Sequence, residues 1–133
     1  MENLSFLLVD DHIAYRRMLR QLIESHLGWS VVAEASNGKE VEHLIAQYAP
    51  TVVLMDVSLP ALQGITAIRC IKHITPTTRI VAFSSYLDDE FRSASMQAGA
   101  DAYLLKEDLV AKGLVQVLEE FFPSLAGHAT LEM

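Results

Sequence analysis

Val52-Val53-Leu54-Met55-Asp56 is an unbroken apolar run, β-branched at its start, that ends abruptly on a carboxylate. Such a run reads as a strand buried on both faces, which is how strands sit in a parallel sheet covered by helices. Working outward, similar short runs recur at Phe6–Val9, Val31–Glu34, Ile80–Ser84 and Ala102–Leu105. Between them lie longer segments with apolar residues three and four apart, at about His12–His26, Lys39–Tyr48, Gly64–Ile74, Asp88–Ala98 and Asp108–Phe122. In the first of these, Tyr15, Met18, Leu19 and Leu22 share a face. Gly28, Gly99 and the Ala49-Pro50 pair stand where helices should stop. The alternation gives five βα units around one doubly wound parallel sheet with five helices.

A chain of 133 residues, 51% hydrophobic and 20% charged, is sized and composed for a single packed domain. The domain is expected over residues 1–122. Residues 123–133, small, polar and weakly patterned, read as a C-terminal tail or the start of a linker. No apolar run reaches the roughly 18–20 residues of a membrane span, and no signal-peptide pattern opens the chain, so the cytoplasm is the expected compartment. Cys70 is the one cysteine; it has no disulfide or zinc partner and reads as a buried or half-buried apolar residue. The net charge of −7, with no basic cluster longer than Arg16-Arg17, argues against nucleic-acid binding by this domain alone.

In open α/β sheets, ligands bind outside the carboxyl ends of the strands. The first strand here ends in Asp10-Asp11, the third in Asp56 and the fourth in Ser84-Ser85, and Lys106 follows the fifth directly; the second ends in Ala35-Ser36, as suits an edge strand. Each residue alone has an ordinary explanation. An aspartate before a helix is commonly an N-cap, a serine fills strand ends, and a lysine is usually solvated. Convergence of three carboxylates, a hydroxyl and an ammonium on one sheet edge is not explained that way. Clustered carboxylates repel unless neutralised, and an oxygen-rich set of two or three suits Mg²⁺. The lysine adds a fixed charge for phosphoryl oxygens.

Four stretches, FLLVDDH (Phe6–His12), VVLMDVSLPALQG (Val52–Gly64), IVAFSS (Ile80–Ser85) and AGADAYLLK (Ala98–Lys106), resemble in order and spacing the response-regulator receiver domains of two-component signalling. The resemblance spans about Leu4 to Phe122. It implies a flavodoxin-like sheet with strand order 2-1-3-4-5. It implies that Asp56 accepts a phosphoryl group, that Asp11, Asp56 and the carbonyl of Ser58 ligate Mg²⁺, and that Asp10 helps through water. Ser84 and Lys106 would contact the phosphoryl oxygens, and Tyr103 would be the aromatic whose position reports the state. The donor would be a sensor histidine kinase or phosphotransfer protein docking near the first helix. The readout surface would be the fourth helix, fifth strand and fifth helix, with self-phosphorylation and self-dephosphorylation as the chain's own chemistry.

Two positions depart from the family pattern. Glu107 stands where receivers usually have proline, so a trans bond and loop are expected after Lys106. Ala61-Leu62-Gln63 replaces a more flexible pair. By the same resemblance Ser58 and Tyr86 would flank the approach of water to phosphorus; a Tyr86 ring over the site would exclude water and make phosphate loss slow, with the small Ser58 contributing little, whereas a ring turned outward would not. On the last helix Val110, Leu114, Val117 and Phe121 read as the inward stripe, with Val115 and Phe122 beside Leu118 as either a wider core or a phosphorylation-dependent homodimer face.

The closing LLKED (Leu104–Asp108) and SSYLDDE (Ser84–Glu90) runs look most like NarL/LuxR-type receivers joined to a helix-turn-helix DNA-binding domain. A free-standing receiver is the alternative output. An aspartate-nucleophile hydrolase needs a DxD pattern after the first strand, whereas His12 follows Asp10-Asp11, and no glycine-rich phosphate loop supports a dinucleotide site. His12, His26, His43, His73 and His128 lack ligand spacing and read as surface or interface residues.

Overall fold

Alternation within the first strand builds the molecule in layers. Phe6 and Leu8 point to one face of the sheet and Leu7 and Val9 to the other, and all four are fully buried. The computed structural model describes residues 3–58, 61–86 and 88–125. Its strands are β1 (Ser5–Val9), β2 (Ser30–Ala35), β3 (Val52–Asp56), β4 (Arg79–Ser84) and β5 (Ala102–Leu105). They form one parallel sheet in the order β2-β1-β3-β4-β5, which places β2 at an edge as its uncharged end suggested.

The helices are α1 (Ile13–Gln21), running on as a π-helical turn (Leu22–His26), α2 (Val41–Tyr48), α3 (Ala61–Ile74), α4 (Asp89–Ala98) and α5, a helical stretch over 106–121. Within α5, Leu109–Gly113 is a π-helical turn between α-helical Lys106–Asp108 and Leu114–Phe121. One core layer joins Phe6, Leu8, Leu54 and Phe83 to Leu19 of α1 and Ile23 of the turn after it, and to Leu114 and Leu118 of α5. The other joins Leu7, Val9, Val53 and Met55 to Val41, Ile45, Ile68 and Ile71 of α2 and α3. Burying each such Leu or Ile side chain stabilises the fold by roughly 1.5–3 kcal/mol.

The termination signals act as read. Gly28 and Gly99 take positive φ of 73° and 121°, and Ala49 closes α2 in the left-handed region at 44°. Several boundaries differ from expectation. α3 begins at Ala61, so Ala61-Leu62-Gln63 is a first helical turn; Pro60 lies outside the described residues. Gly64 lets that turn approach the strand end, for a Cβ there would meet the Asp56 carbonyl at 3.3 Å and Val57 Cα at 3.2 Å.

α5 starts at Lys106 and not at Asp108, because extended Leu105 serves as its N-cap and the chain passes from strand to helix without a loop. Glu107 and Asp108 then sit in the first turn, where carboxylates complement the helix dipole. No cis peptide occurs among the described residues.

On α5 the inward residues are Leu109, Leu114, Val115 and Leu118, while Val110, Val117, Phe121 and, just past its end, Phe122 are half-buried against the same core. The apolar flank is therefore a wide core stripe. Cys70, expected inside, is exposed, because Ala67, Ile68 and Ile71 take the inward face of α3. Past Phe122 the chain makes a 3-10 turn at Pro123–Leu125, and Leu125 packs into the core. The rest of the expected tail, His128 included, lies outside the described residues.

Candidate functional site

Three strand ends finish in the same local device, a side chain accepting from the backbone two residues on. Asp10 Oδ1 accepts the His12 N–H at 2.8 Å, Asp56 Oδ1 accepts the Ser58 N–H at 2.8 Å, and Ser84 Oγ accepts the Tyr86 N–H at 3.1 Å. The capping explanation thus holds in part, yet it uses only one oxygen of each carboxylate. Asp10 and Asp56 are fully buried, and the Oδ2 of each makes no hydrogen bond. The Lys106 ammonium stands within ion-pair reach, 3.0 Å from Asp10 Oδ2 and 3.3 Å from Asp56 Oδ2, without aligned hydrogen-bond geometry.

Several groups hold this arrangement. Ser58 Oγ donates to Asp56 Oδ1 at 2.6 Å. Arg16 Nη1 donates to the Asp10 carbonyl at 2.5 Å and Nε to Glu34 Oε1 at 2.6 Å, which ties the β1 end to β2. Tyr15 donates its hydroxyl to the Lys106 carbonyl, and the Lys106 ammonium lies over the Tyr15 and Phe83 rings at 4.6 and 5.8 Å. Ser84, fully buried, follows Phe83, the register partner of Asp56. Tyr103 on β5 donates its hydroxyl to the Tyr86 carbonyl at 3.3 Å, and burial pushes its phenol up.

Burial pushes the Asp56 carboxyl above its ordinary range; the Ser58 hydroxyl and N–H pull it down, the Asp10 charge raises it further, and Lys106 lowers it. Asp11 sits at the rim with its side chain half exposed, and His12 Nδ1 is 3.1 Å from its Oδ1 and 3.2 Å from Asp10 Oδ1. One potential ligand atom from each of Asp10, Asp11, His12 and Asp56 lies within 4.8 Å of all the others. Three carboxylates against one ammonium leave two negative charges, which a divalent cation would cancel. The two buried Oδ2 atoms without hydrogen bonds are hard oxygen donors of the kind Mg²⁺ takes, so the residues fit such an ion.

The sequence-derived set of Asp10, Asp11, Asp56, Ser58 and Lys106 is thus gathered in one crevice, with Ser84 and Tyr103 tied to its β4–α4 loop through Tyr86. Tyr86 belongs to that loop by its backbone, but its side chain is exposed. Sequence reasoning did not find His12, Tyr15 and Arg16 as site residues. His12 lies two places after Asp10, and that spacing was the available signal. A separate apolar cleft of about 530 Å³ between α2 and α3, lined by Gly38, Val41, Gln63, Ala67 and Cys70 among others, contains none of these groups.

Comparison with known proteins agrees with the geometry. The response regulator receiver domain family matches residues 6–119. The chain is 37% identical over 103 residues to the transcriptional regulatory protein YdfI of Bacillus subtilis, covering 76% of this chain and 47% of that protein. It is 33% identical over 119 residues to the nitrate/nitrite response regulator NarL of Escherichia coli, covering 90% and 55%. A two-component response regulator of the LuxR family from Aurantimonas has the same fold, with TM-score 0.82 and 35% identity over 92% of this chain and 87% of that one. The chain spans about half the length of the curated relatives it matches. With its sheet order, its acidic crevice and these matches taken together, the chain belongs to the response regulator receiver domain family.

Proposed function

We propose that the crevice is a phosphorylation switch in which Asp56 is the acceptor. One observation carries this reading: Asp56 Oδ2 is buried, free of hydrogen bonds and 3.3 Å from the Lys106 ammonium, while Oδ1 is held by Ser58. One oxygen is therefore anchored and the other is left to act as nucleophile. In the proposed step, Oδ2 forms a bond to phosphorus as the phosphorus–nitrogen bond of a phosphohistidine breaks, and the electron pair stays on the departing imidazole. The donor is a sensor histidine kinase or a phosphotransfer protein. Asp10, Asp11, Asp56 and the Ser58 carbonyl would hold Mg²⁺, which when bound supplies positive charge to the phosphoryl oxygens. Lys106 contributes a second positive charge. Ser84, whose oxygen already accepts from Tyr86, keeps its own proton to donate.

The same residues transmit the change. Lys106 is the first residue of α5, and Ser84 is linked through the Tyr86 backbone to Tyr103 of β5. New phosphoryl oxygens that draw Lys106 and Ser84 toward them move the β4–α4 loop, β5 and the start of α5 together. A relative named as a transcriptional regulatory protein supports an output domain that binds DNA, with a free-standing receiver as the alternative. Phosphorylation-dependent pairing of two copies belongs to the same proposal, and the half-buried Val110, Val117, Phe121 and Phe122 are the apolar surface this end of the chain leaves for it. Among the described residues no helix is long and apolar enough to cross a membrane. The test is labelling with acetyl phosphate and Mg²⁺, read by intact-protein mass. One hydroxylamine-sensitive phosphate that disappears in Asp56→Asn is expected, and its survival in that variant would sink the assignment.

A further inference from the structure

His12 precedes α1 in an extended conformation, φ −87° and ψ 101°, with its N–H fixed to Asp10 Oδ1 at 2.8 Å. This anchors the imidazole at the mouth of the acidic crevice. Its Nδ1 lies 3.2 Å from the Lys106 ammonium, 3.1 Å from Asp11 Oδ1 and 3.2 Å from Asp10 Oδ1. The ammonium occupies the place of a cation, with His12 Nδ1, Asp10 Oδ2 and Asp56 Oδ2 at 3.2, 3.0 and 3.3 Å around it. Two of these three, the buried Asp10 and Asp56 oxygens, have no hydrogen bond. In the tautomer with Nδ1 unprotonated, the crevice presents a nitrogen lone pair beside oxygen donors.

We propose that His12 Nδ1 is a direct ligand of the cation in this crevice, giving a mixed oxygen and nitrogen set that favours first-row transition ions such as Mn²⁺ over Mg²⁺. The inference rests on reading the crevice as a divalent-cation site. Carboxylate oxygens suit Mg²⁺ and Mn²⁺ alike, whereas imidazole gains more from the transition ions, so a nitrogen donor separates two ions that an all-oxygen site treats similarly. Coordination requires Nδ1 to close from contact distance to bonding distance, roughly 2 Å by analogy with imidazole on zinc. The His12 side chain is 64% exposed and can make that movement without unpacking the core. Lys106 must then yield its place to the ion, which leaves the ammonium free to meet phosphoryl oxygens.

The test uses the whole chain with Mn²⁺, without a phosphodonor. Pulsed electron paramagnetic resonance of bound Mn²⁺ should show nitrogen-14 coupling in the wild type and lose it in His12→Ala, with His26→Ala retaining it. Calorimetry should show Mn²⁺ affinity falling at least about tenfold in His12→Ala, a loss as large as removing even an outer partner of a ligand can cause. Mg²⁺ affinity should change by less than about twofold, since Mg²⁺ relies on the carboxylates. Absence of nitrogen coupling from bound Mn²⁺, or its persistence in His12→Ala, overturns the role of His12 and leaves the site standing. Failure of both ions to bind overturns the reading of the site itself, and this inference with it.

Discussion

The Tyr15 hydroxyl donates a 2.6 Å hydrogen bond to the carbonyl of Lys106, a residue 91 positions away, while the same ring lies 4.6 Å from the Lys106 ammonium. One side chain thus holds both ends of the lysine. The chain has Glu107 after Lys106, and α5 begins at the lysine itself, so the reach of the ammonium depends on where this first turn is pinned. Tyr15→Phe keeps the ring and removes the hydroxyl. It should slow labelling by acetyl phosphate up to about tenfold, the equivalent of one hydrogen bond's roughly 0.5–1.5 kcal/mol. In a Lys106→Ala background the same substitution should change labelling by less than about twofold, because the group it positions is gone. Equal losses in both backgrounds would assign Tyr15 a packing role only.

Tyr15 also gives a pH signature. Burial, followed by the Asp10 and Asp56 charges, raises its phenol above the ordinary 10.0. The folded state therefore binds this proton more tightly than the unfolded chain. Its stabilisation is complete below pH 10 and is lost as pH rises toward the folded value. Above pH 10, wild type should lose up to about 1.4 kcal/mol per pH unit more than Tyr15→Phe. Parallel alkaline denaturation curves would contradict the buried phenol.

Backbone strain sits at two helix ends, with opposite consequences. Ala49 holds φ 44°, a region costing an alanine roughly 1–2 kcal/mol, so Ala49→Gly should raise stability by about 0.5–1 kcal/mol after the extra freedom of unfolded glycine is counted. At Gly99, φ is 121° and a Cβ would press on Lys72 Cγ at 2.6 Å. Lys72 is engaged with Asp101 at 2.8 Å and the Thr78 carbonyl at 2.7 Å, so it cannot retreat freely. Gly99→Ala should cost about 1–3 kcal/mol in urea unfolding.

The strands were legible because each is a short apolar run cut by a polar residue, and the crevice of Asp10, Asp11, Asp56 and Lys106 beside Ser84 was legible because those polar residues stand at the cuts. Helix starts were less so. Glu107 reads as loop, yet a polar residue is equally at home in a first turn once Leu105 caps it. His12, Tyr15 and Arg16 escaped for a different reason: their partners are the Lys106 ammonium and carbonyl, Glu34 and the Asp10 carbonyl. A tyrosine on the core face of a helix looks the same whether its hydroxyl meets a carbonyl or nothing. Only the sheet order, which brings β5 and Lys106 to α1, decides that.

Arg16 and Arg20 both pair with Glu34, and together they overcome the burial that would raise its carboxyl and hold it below its ordinary 4.5. A carboxyl depressed in the folded state stabilises above its unfolded value, and that stability is lost as pH falls through the folded one. Glu34→Gln should cost about 1–2 kcal/mol at neutral pH and flatten the loss of stability below pH 4.5. An acid unfolding profile identical to wild type would show that the pair contributes nothing.

Phosphate lifetime depends on what stands beside phosphorus, and Tyr86 and Ser58 occupy different places in that respect. The Tyr86 backbone is fixed on both sides, its N–H on Ser84 Oγ and its carbonyl accepting from Tyr103, while the residue is 64% exposed. A ring so open to solvent is poorly placed to shield a fully buried carboxylate from water. Tyr86→Ala should leave the rate of phosphate loss within about twofold, a barrier change under about 0.5 kcal/mol. Ser58 instead contacts the acceptor, its hydroxyl donating to Asp56 Oδ1 at 2.6 Å. When water displaces the phosphoryl group, the carboxylate that leaves regains negative charge, and a donor on its other oxygen stabilises that charge as it forms. Ser58→Ala should therefore slow phosphate loss by up to about tenfold, one hydrogen bond's worth. Acceleration of about tenfold in Tyr86→Ala, with no change in Ser58→Ala, would put the ring over the site and reverse the two assignments.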